Sequence, residues 1–219
     1  MKFIRLIPVL LGSLVIVACG QDGEAQSTAD TGSSIKPAST ATKAANDALL
    51  EYLPFDDRRD YENAERGFIA SIDSGRIESD GNVVYDMKQF DFLTGDAPDS
   101  VNPSLWRVSE LNAKAGLYEV GEGIFQIRAF DLANMSFIRG DKGWIVVDPL
   151  TANETAEAGY ALVKQHVEDA PITAVIFTHS HVDHFGGVKG LVSDEQVESG
   201  DVAIIAPEHF LPGINDLFR

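Results

Sequence analysis

The chain has 219 residues, 44% of them hydrophobic and 23% charged, enough for one sizeable globular domain with or without an ordered arm. Acidic residues outnumber basic ones 34 to 17, a formal charge of -17. That balance excludes a nucleic-acid partner, because phosphate binding needs clustered Lys and Arg. A solvated acidic surface explains the charge, and metal ions or a few Arg can still reverse the local field for an anionic substrate.

The N-terminus opens with Lys2 and Arg5, followed by the apolar run from Leu6 to Ala18. The run is too short for a stable bilayer span but suits a secretory segment. It ends in Ile16-Val17-Ala18-Cys19, which resembles a bacterial lipobox, so residues 1–18 read as a lipoprotein signal peptide and Cys19 as the lipidated first residue of the mature chain. An ordinary secretory peptide or an uncleaved anchor are the alternatives. Gln21, where an Asp would favour inner-membrane retention, points to an outer-membrane anchor facing the periplasm. Losing Lys2 and Arg5 leaves 15 basic residues against 34 acidic, or -19. Cys19 is the only cysteine, so an intrachain disulfide and a cysteine-based zinc site are both excluded.

Residues 19–48 are rich in Ala, Ser, Thr, Asp and Gly without apolar periodicity, and predict a flexible tether. Order is expected from Leu49-Leu50, and residues 49–116 read as an N-terminal extension of a catalytic domain at 117–219. The charged stretch Asp56–Arg66 suits a solvated helix or turn, and Gly81-Asn82 a turn before Val83-Val84-Tyr85. Leu117–Val120 and Ile124–Ile127 alternate across Gly121-Glu122-Gly123, a hairpin signal. Met135–Ile138 and the wholly apolar Trp144–Val147 follow as strands, the second expected to be covered on both faces. Thr151-Ala152-Asn153-Glu154 has the spacing of a capping box, and Ala156, Tyr160, Val163 and Val167 recur on one helical face. After Pro171, Ile172–Phe177 reads as another buried strand. A β-meander followed by β-α-β predicts a layered α/β domain.

The chemistry is concentrated where that last strand ends, in Thr178-His179-Ser180-His181-Val182-Asp183-His184-Phe185-Gly186-Gly187. Three of the five histidines and one Asp fall within six positions. His179 and His181 project from one side of an extended backbone and can share one zinc ion. Asp183 and His184 point differently and suit a second ion, so that water held between the two is activated. Gly186 and Gly187 allow a tight turn into a short helix at Val188–Leu191. Asp148, at the end of Trp144–Val147, is either a carboxylate that orients a ligand histidine or a turn residue. His166 reads as a surface residue and His209 as structural or near the site. Arg128, Arg139 and Lys189 are available cations that no pattern selects.

The His-x-His-x-Asp-His loop resembles the metallo-β-lactamase superfamily. Its surroundings narrow the likeness: Asn102–Trp106, Gly116-Leu117-Tyr118, Gly123–Arg128, Asp131–Ile138, Asp148-Pro149-Leu150 and Thr178–Gly190 are together similar to the linear (primary) alkyl sulfatases. The resemblance implies an αββα sandwich with only its N-terminal half present. It also implies a zinc-dependent hydrolase of alkyl sulfate esters, such as dodecyl sulfate. His179, His181, Asp183 and His184 would be metal ligands acting through bound metal and water, with two zinc ions in the complete site. Segment 212–219 departs from the family pattern after Phe210, so the chain is expected to be an N-terminal fragment whose remaining ligands and dimerisation domain lie in relatives. A homodimer is therefore expected only of the full-length form. The rival expectations are another hydrolase of this fold, for a lactone, thioester or phosphodiester, and a non-catalytic zinc-binding lipoprotein remnant.

Overall fold

The computed structural model describes residues 37–211. Cys19, the expected signal peptide and the first part of the expected tether lie outside them. The described chain begins with helix α1 (Thr40–Tyr52), capped by the Ser39 hydroxyl, which accepts from the Thr42 amide. This departs from the sequence expectation, which had the tether reach Ala48. The helix is fixed from outside: Lys43 Nζ donates to Asp99 at 2.8 Å and the Asn46 amide to the Asp99 carbonyl at 2.8 Å. No residue of α1 is buried, so these polar ties, together with helix-favouring Ala, Lys and Leu, stand in for an apolar face.

The charged stretch forms α2 (Arg59–Glu65). Its neighbour α3 (Pro103–Asn112) starts with Asn102 as cap and Pro103 in the first turn, where a missing N–H costs nothing. Arg107 of α3 ties these parts together, donating to Asp60 (2.6 and 2.7 Å) and to the carbonyls of Phe55 and Asp57. Between the helices lie β1 (Phe68–Ala70) and the hairpin β2 (Arg76–Ser79)–β3 (Asn82–Asp86), turning at Asp80-Gly81.

The remaining strands are β4 (Gly116–Gly121), β5 (Ile124–Arg128), β6 (Met135–Arg139), β7 (Trp144–Val147), β8 (Ile172–Ile176) and β9 (Ala203–Ile205). With β1 they make a seven-stranded sheet in the order β1-β4-β5-β6-β7-β8-β9. The first five strands pair antiparallel, while β7-β8 and β8-β9 are parallel. The β7–β8 crossover is α4 (Asn153–His166). Thus the expected meander followed by β-α-β is the observed order, and β1 adds a strand from the segment that precedes 117.

Alternation sets what each face does. Phe125, Ile127, Met135, Phe137, Trp144, Val146 and Val175 are buried toward α4, which contributes Ala156, Leu162 and Val163. Trp144 sits at the centre, with the rings of Phe125 and Phe137 edge-on at 5.7 and 6.0 Å and its indole N–H given to the Glu168 carbonyl. Burying Trp144 and its neighbours stabilises this layer by roughly 1.5–3 kcal/mol per side chain. On the other face the register aligns Ile124, Ile138, Ile145 and Ala174 in one row, and Gln126, Ser136, Val147 and Ile176 in the next. Ile124 is exposed and the others are partly covered, so β7 is deeply buried on one face only.

The expected capping box does not form. Ala152 is the N-cap of α4 and makes no side-chain cap bond. Asp131, from the β5–β6 loop, takes the roles instead: its Oδ2 accepts from the Thr151 amide (2.9 Å) and the Thr155 hydroxyl (2.8 Å). An anion at a helix N-terminus satisfies orphan donors and the dipole together.

Candidate metal centre

The parallel pairing of β7 and β8 places both strand ends side by side, and all the candidate chemistry grows from there. The Asp148 amide donates to the Ile176 carbonyl at 3.0 Å, continuing the ladder past β7. Asp148 then turns into the left-handed region (φ 56°) ahead of Pro149, a conformation that Asp tolerates better than most residues. The turn aims its carboxylate across the strand gap. Oδ1 accepts from the Thr178 amide at 2.8 Å, and Oδ2 accepts from the Thr178 hydroxyl at 2.7 Å. His184 Nδ1 lies 2.8 Å from the same Oδ2. Asp148 is 7% exposed, and these three bonds account for its burial.

A buried carboxylate beside an imidazole nitrogen fixes the tautomer. With the proton on Nδ1, Asp148 accepts from it and Nε2 is the nitrogen that would face a metal. His184 Nε2 stands 3.2 Å from Asp183 Oδ2. His179 Nδ1 lies 3.0 Å from the Thr178 hydroxyl, and the His179 ring is 4.0 Å from that of His184 and 4.7 Å from that of His181, centre to centre. His181 is exposed, while His179, Asp183 and His184 are half-buried.

The loop holds this place because the chain beneath it has no room for side chains. A Cβ on Gly187 would stand 2.2 Å from the Pro149 carbonyl oxygen, 2.6 Å from that of Ala152 and 2.9 Å from Ala156 Cβ. The Gly187 amide donates to the Leu150 carbonyl at 3.0 Å. Phe185 anchors the loop on Phe177 (6.0 Å) and Phe210 (5.4 Å). The sequence anticipated the tight passage through Gly186-Gly187 and the short helix after it, which is a 3-10 turn at Gly186–Gly190.

Asp148 therefore makes the contact expected of an orienting carboxylate. His166 is exposed at the end of α4, and His209 is exposed beside Glu208, so neither joins the cluster. The three cations are engaged elsewhere: Arg128 with Gln126 and over the Tyr118 ring, Arg139 with Glu168, and Lys189 with Asp194. Thr178 and Asp131 carry structural work that sequence reasoning did not assign. The Asp131-x-Ala133 turn was visible as a local pattern, but its partners twenty and more residues away were not.

The donor set suits a zinc-class ion: three imidazoles and a carboxylate within one short loop, with a buried carboxylate placed to orient one histidine. Among the described residues no three His, Cys, Asp or Glu side chains yet converge on a single point. The rings are nonetheless adjacent, 4.0 and 4.7 Å between centres.

Residues 128–217 match the metallo-beta-lactamase superfamily. Over 92% of its length the chain is 46% identical to a linear primary-alkylsulfatase of Pseudomonas sp., and over 96% it is 44% identical to an (R)-specific secondary-alkylsulfatase of Pseudomonas sp.. It spans 29% and 32% of those two proteins. The solved structure of the stereoselective inverting sec-alkylsulfatase Pisa1 from Pseudomonas sp. superposes with a TM-score of 0.76 at 46% identity, covering 83% of this chain and 29% of that one. The α/β architecture, the domain match and these relatives agree with the resemblance read from the loop and its flanks. Residues 128–217 thus match the metallo-beta-lactamase superfamily model, and over most of its length the chain is similar to alkylsulfatases of which it spans about a third or less.

Proposed function

We propose that the chain carries part of the zinc site of a sulfuric ester hydrolase that acts on alkyl sulfates, dodecyl sulfate among them, and releases alcohol and sulfate. The observation that carries this reading is the line from Asp148 through His184 to Asp183, at 2.8 and 3.2 Å, in a chain whose curated relatives are alkylsulfatases. His179 and His181 make one half of the donor set, Asp183 and His184 the other, and the complete site holds two ions.

Bound zinc supplies Lewis acidity there, making water nucleophilic near neutral pH and offsetting charge on the ester. The protein's own part is placement. Asp148 keeps the proton on His184 Nδ1, and Thr178 sits between Asp148 and His179 so that both rings are held from behind. With a net charge of -17, the chain as a whole disfavours an anionic ester, and cations held at the loop would offset this locally.

We further propose that the protein is exported and lipid-anchored through Cys19 in the bacterial outer membrane, facing the periplasm, and that the full-length form is a homodimer. Cys19→Ser is expected to lose the lipid mass and leave the membrane fraction; identical mass and partitioning would overturn the anchor. The activity is tested on zinc-loaded protein with dodecyl sulfate beside a lactone, a thioester and a phosphodiester. Sulfate release abolished by a chelator supports the assignment. Turnover confined to another ester overturns it, and zinc binding without turnover, in a full-length form as well as in this chain, marks a non-catalytic lipoprotein.

A further inference from the structure

Thr178 stands between the buried carboxylate and the first histidine of the loop, and its hydrogen bonds can be counted proton by proton. The Thr178 amide donates to Asp148 Oδ1 at 2.8 Å, and the Thr178 hydroxyl donates to Asp148 Oδ2 at 2.7 Å. An ionised carboxylate only accepts, and a threonine hydroxyl has a single proton. With that proton given to Asp148, the hydroxyl meets His179 Nδ1, 3.0 Å away, with lone pairs alone. The contact is then a hydrogen bond when His179 carries a proton on Nδ1. The opposite sense, with the hydroxyl donating to His179, would set oxygen lone pairs against each other at 2.7 Å. It would also take a donor from a carboxylate that is 7% exposed, where a lost bond is costly.

The same Oδ2 lies 2.8 Å from His184 Nδ1. Asp148 therefore reaches two imidazoles, His184 directly and His179 through the Thr178 hydroxyl. Their rings are 4.0 Å apart, yet they belong to different halves of the donor set: His179 goes with His181, and His184 with Asp183.

We propose that Thr178 is a positioning residue that carries the orienting effect of Asp148 on to His179, so that one buried carboxylate presents Nε2 of one histidine from each half of the site. The inference rests on the metal reading above for what the two nitrogens face. The order of the protons rests on the three distances. Two substitutions separate the branches. Thr178→Val keeps the branched shape and the amide bond to Oδ1, and removes the branch to His179 alone. Asp148→Asn reverses both branches. Its amide nitrogen, in place of Oδ2, donates one proton to His184 Nδ1 and the other to the Thr178 hydroxyl. The hydroxyl proton then swings to His179 Nδ1, and that ring keeps its own proton on Nε2.

The test reads the imidazole nitrogen shifts of the metal-free 219-residue chain at about pH 8, where free imidazole is neutral. Zinc affinity is measured beside them by competition with a chromophoric chelator. In the parent, His179 and His184 are both expected to carry the proton on Nδ1. Thr178→Val should lose that signature at His179 and keep it at His184, Thr178→Ser should restore it, and Asp148→Asn should move both rings to the Nε2–H form. Zinc affinity should fall about 10–100-fold in Thr178→Val and recover in Thr178→Ser. A parent with the His179 proton on Nε2 overturns the inference, as does a Thr178→Val variant with an unchanged His179. Equal disturbance of both rings by Thr178→Val also overturns it, since the residue would then serve the fold alone. Should the Val variant not fold, Asp148→Asn decides: resetting His184 and not His179 overturns the relay, and resetting both supports it. The expected proton order in a chain that binds no zinc sinks the metal reading and leaves the relay standing. Tight zinc binding by a parent whose metal-free His179 is protonated on Nε2 does the reverse.

Discussion

Replacing Asp148 by Asn separates orientation from folding. In the parent, the carboxylate accepts three bonds, from the Thr178 amide, the Thr178 hydroxyl and His184 Nδ1. Asp148→Ala would orphan the Thr178 N–H and His184 Nδ1–H, at about 1–3 kcal/mol each. It would also put Ala at a φ of 56°, adding about 1–2 kcal/mol. The total of roughly 3–8 kcal/mol rivals a typical whole-domain stability of about 5–15 kcal/mol, so the Ala variant reports mostly on unfolding. Asn tolerates the backbone and keeps one acceptor for Thr178. Its amide nitrogen, turned toward His184, can only donate. Donation to Nδ1 forces the proton onto Nε2 and removes the lone pair that faces Asp183. Asp148→Asn is thus expected to keep most of its thermal stability while zinc affinity falls about 10–100-fold, measured by competition with a chromophoric chelator. Nitrogen shifts of the imidazole should show the tautomer switch without metal. Parent-like zinc affinity, with His184 still protonated at Nδ1, would refute the orienting role.

Gly187→Ala should lower stability by about 1–3 kcal/mol in denaturant titration, because its Cβ meets two carbonyl oxygens that cannot turn away; a parent-like midpoint would show that the loop does not rest on that turn. Thr151→Val should raise stability by about 1 kcal/mol, since the buried Thr151 hydroxyl has no partner among the described residues and its replacement removes an unpaired polar group; a loss would mean that the hydroxyl is satisfied. Arg59 donates to Asp57 and holds that carboxyl at about 2, below its usual 3.8. A carboxyl lowered in the folded state adds stability above its unfolded value, and that share is lost as pH falls. Acid unfolding of the parent should therefore steepen between about pH 4 and 2 relative to Asp57→Asn, and superimposed curves would refute the assignment.

The strands were legible because side chains alternate with the sheet's own period, as in Phe125, Ile127 and Phe137 against Gln126 and Ser136. The ligand loop was legible because donors two and four residues apart need no tertiary information to be near one another. What escaped was set by long-range bonds. Helix α1 reads as a tether, being poor in apolar residues, until Lys43 and Asn46 meet Asp99. The false capping box at Thr151 arose because Asp131, distant in sequence, satisfies those groups in place of a local side chain. Asp148 fell between: its position at a strand end was visible, but its choice between turn and ligand support depended on the β7–β8 register.

That register has a kinetic meaning. Asp148 and Thr178 lie 30 residues apart and meet only after α4 has packed and two parallel strands have aligned, a non-local step of the slow kind. Until then either nitrogen of His184 is free to carry the proton. A nascent chain would therefore meet metal with unsorted ligands and hold it loosely. In stopped-flow refolding, tight zinc capture should lag helix formation and coincide with completion of the sheet, so the ion acts as a timer that marks when the two strands have found each other.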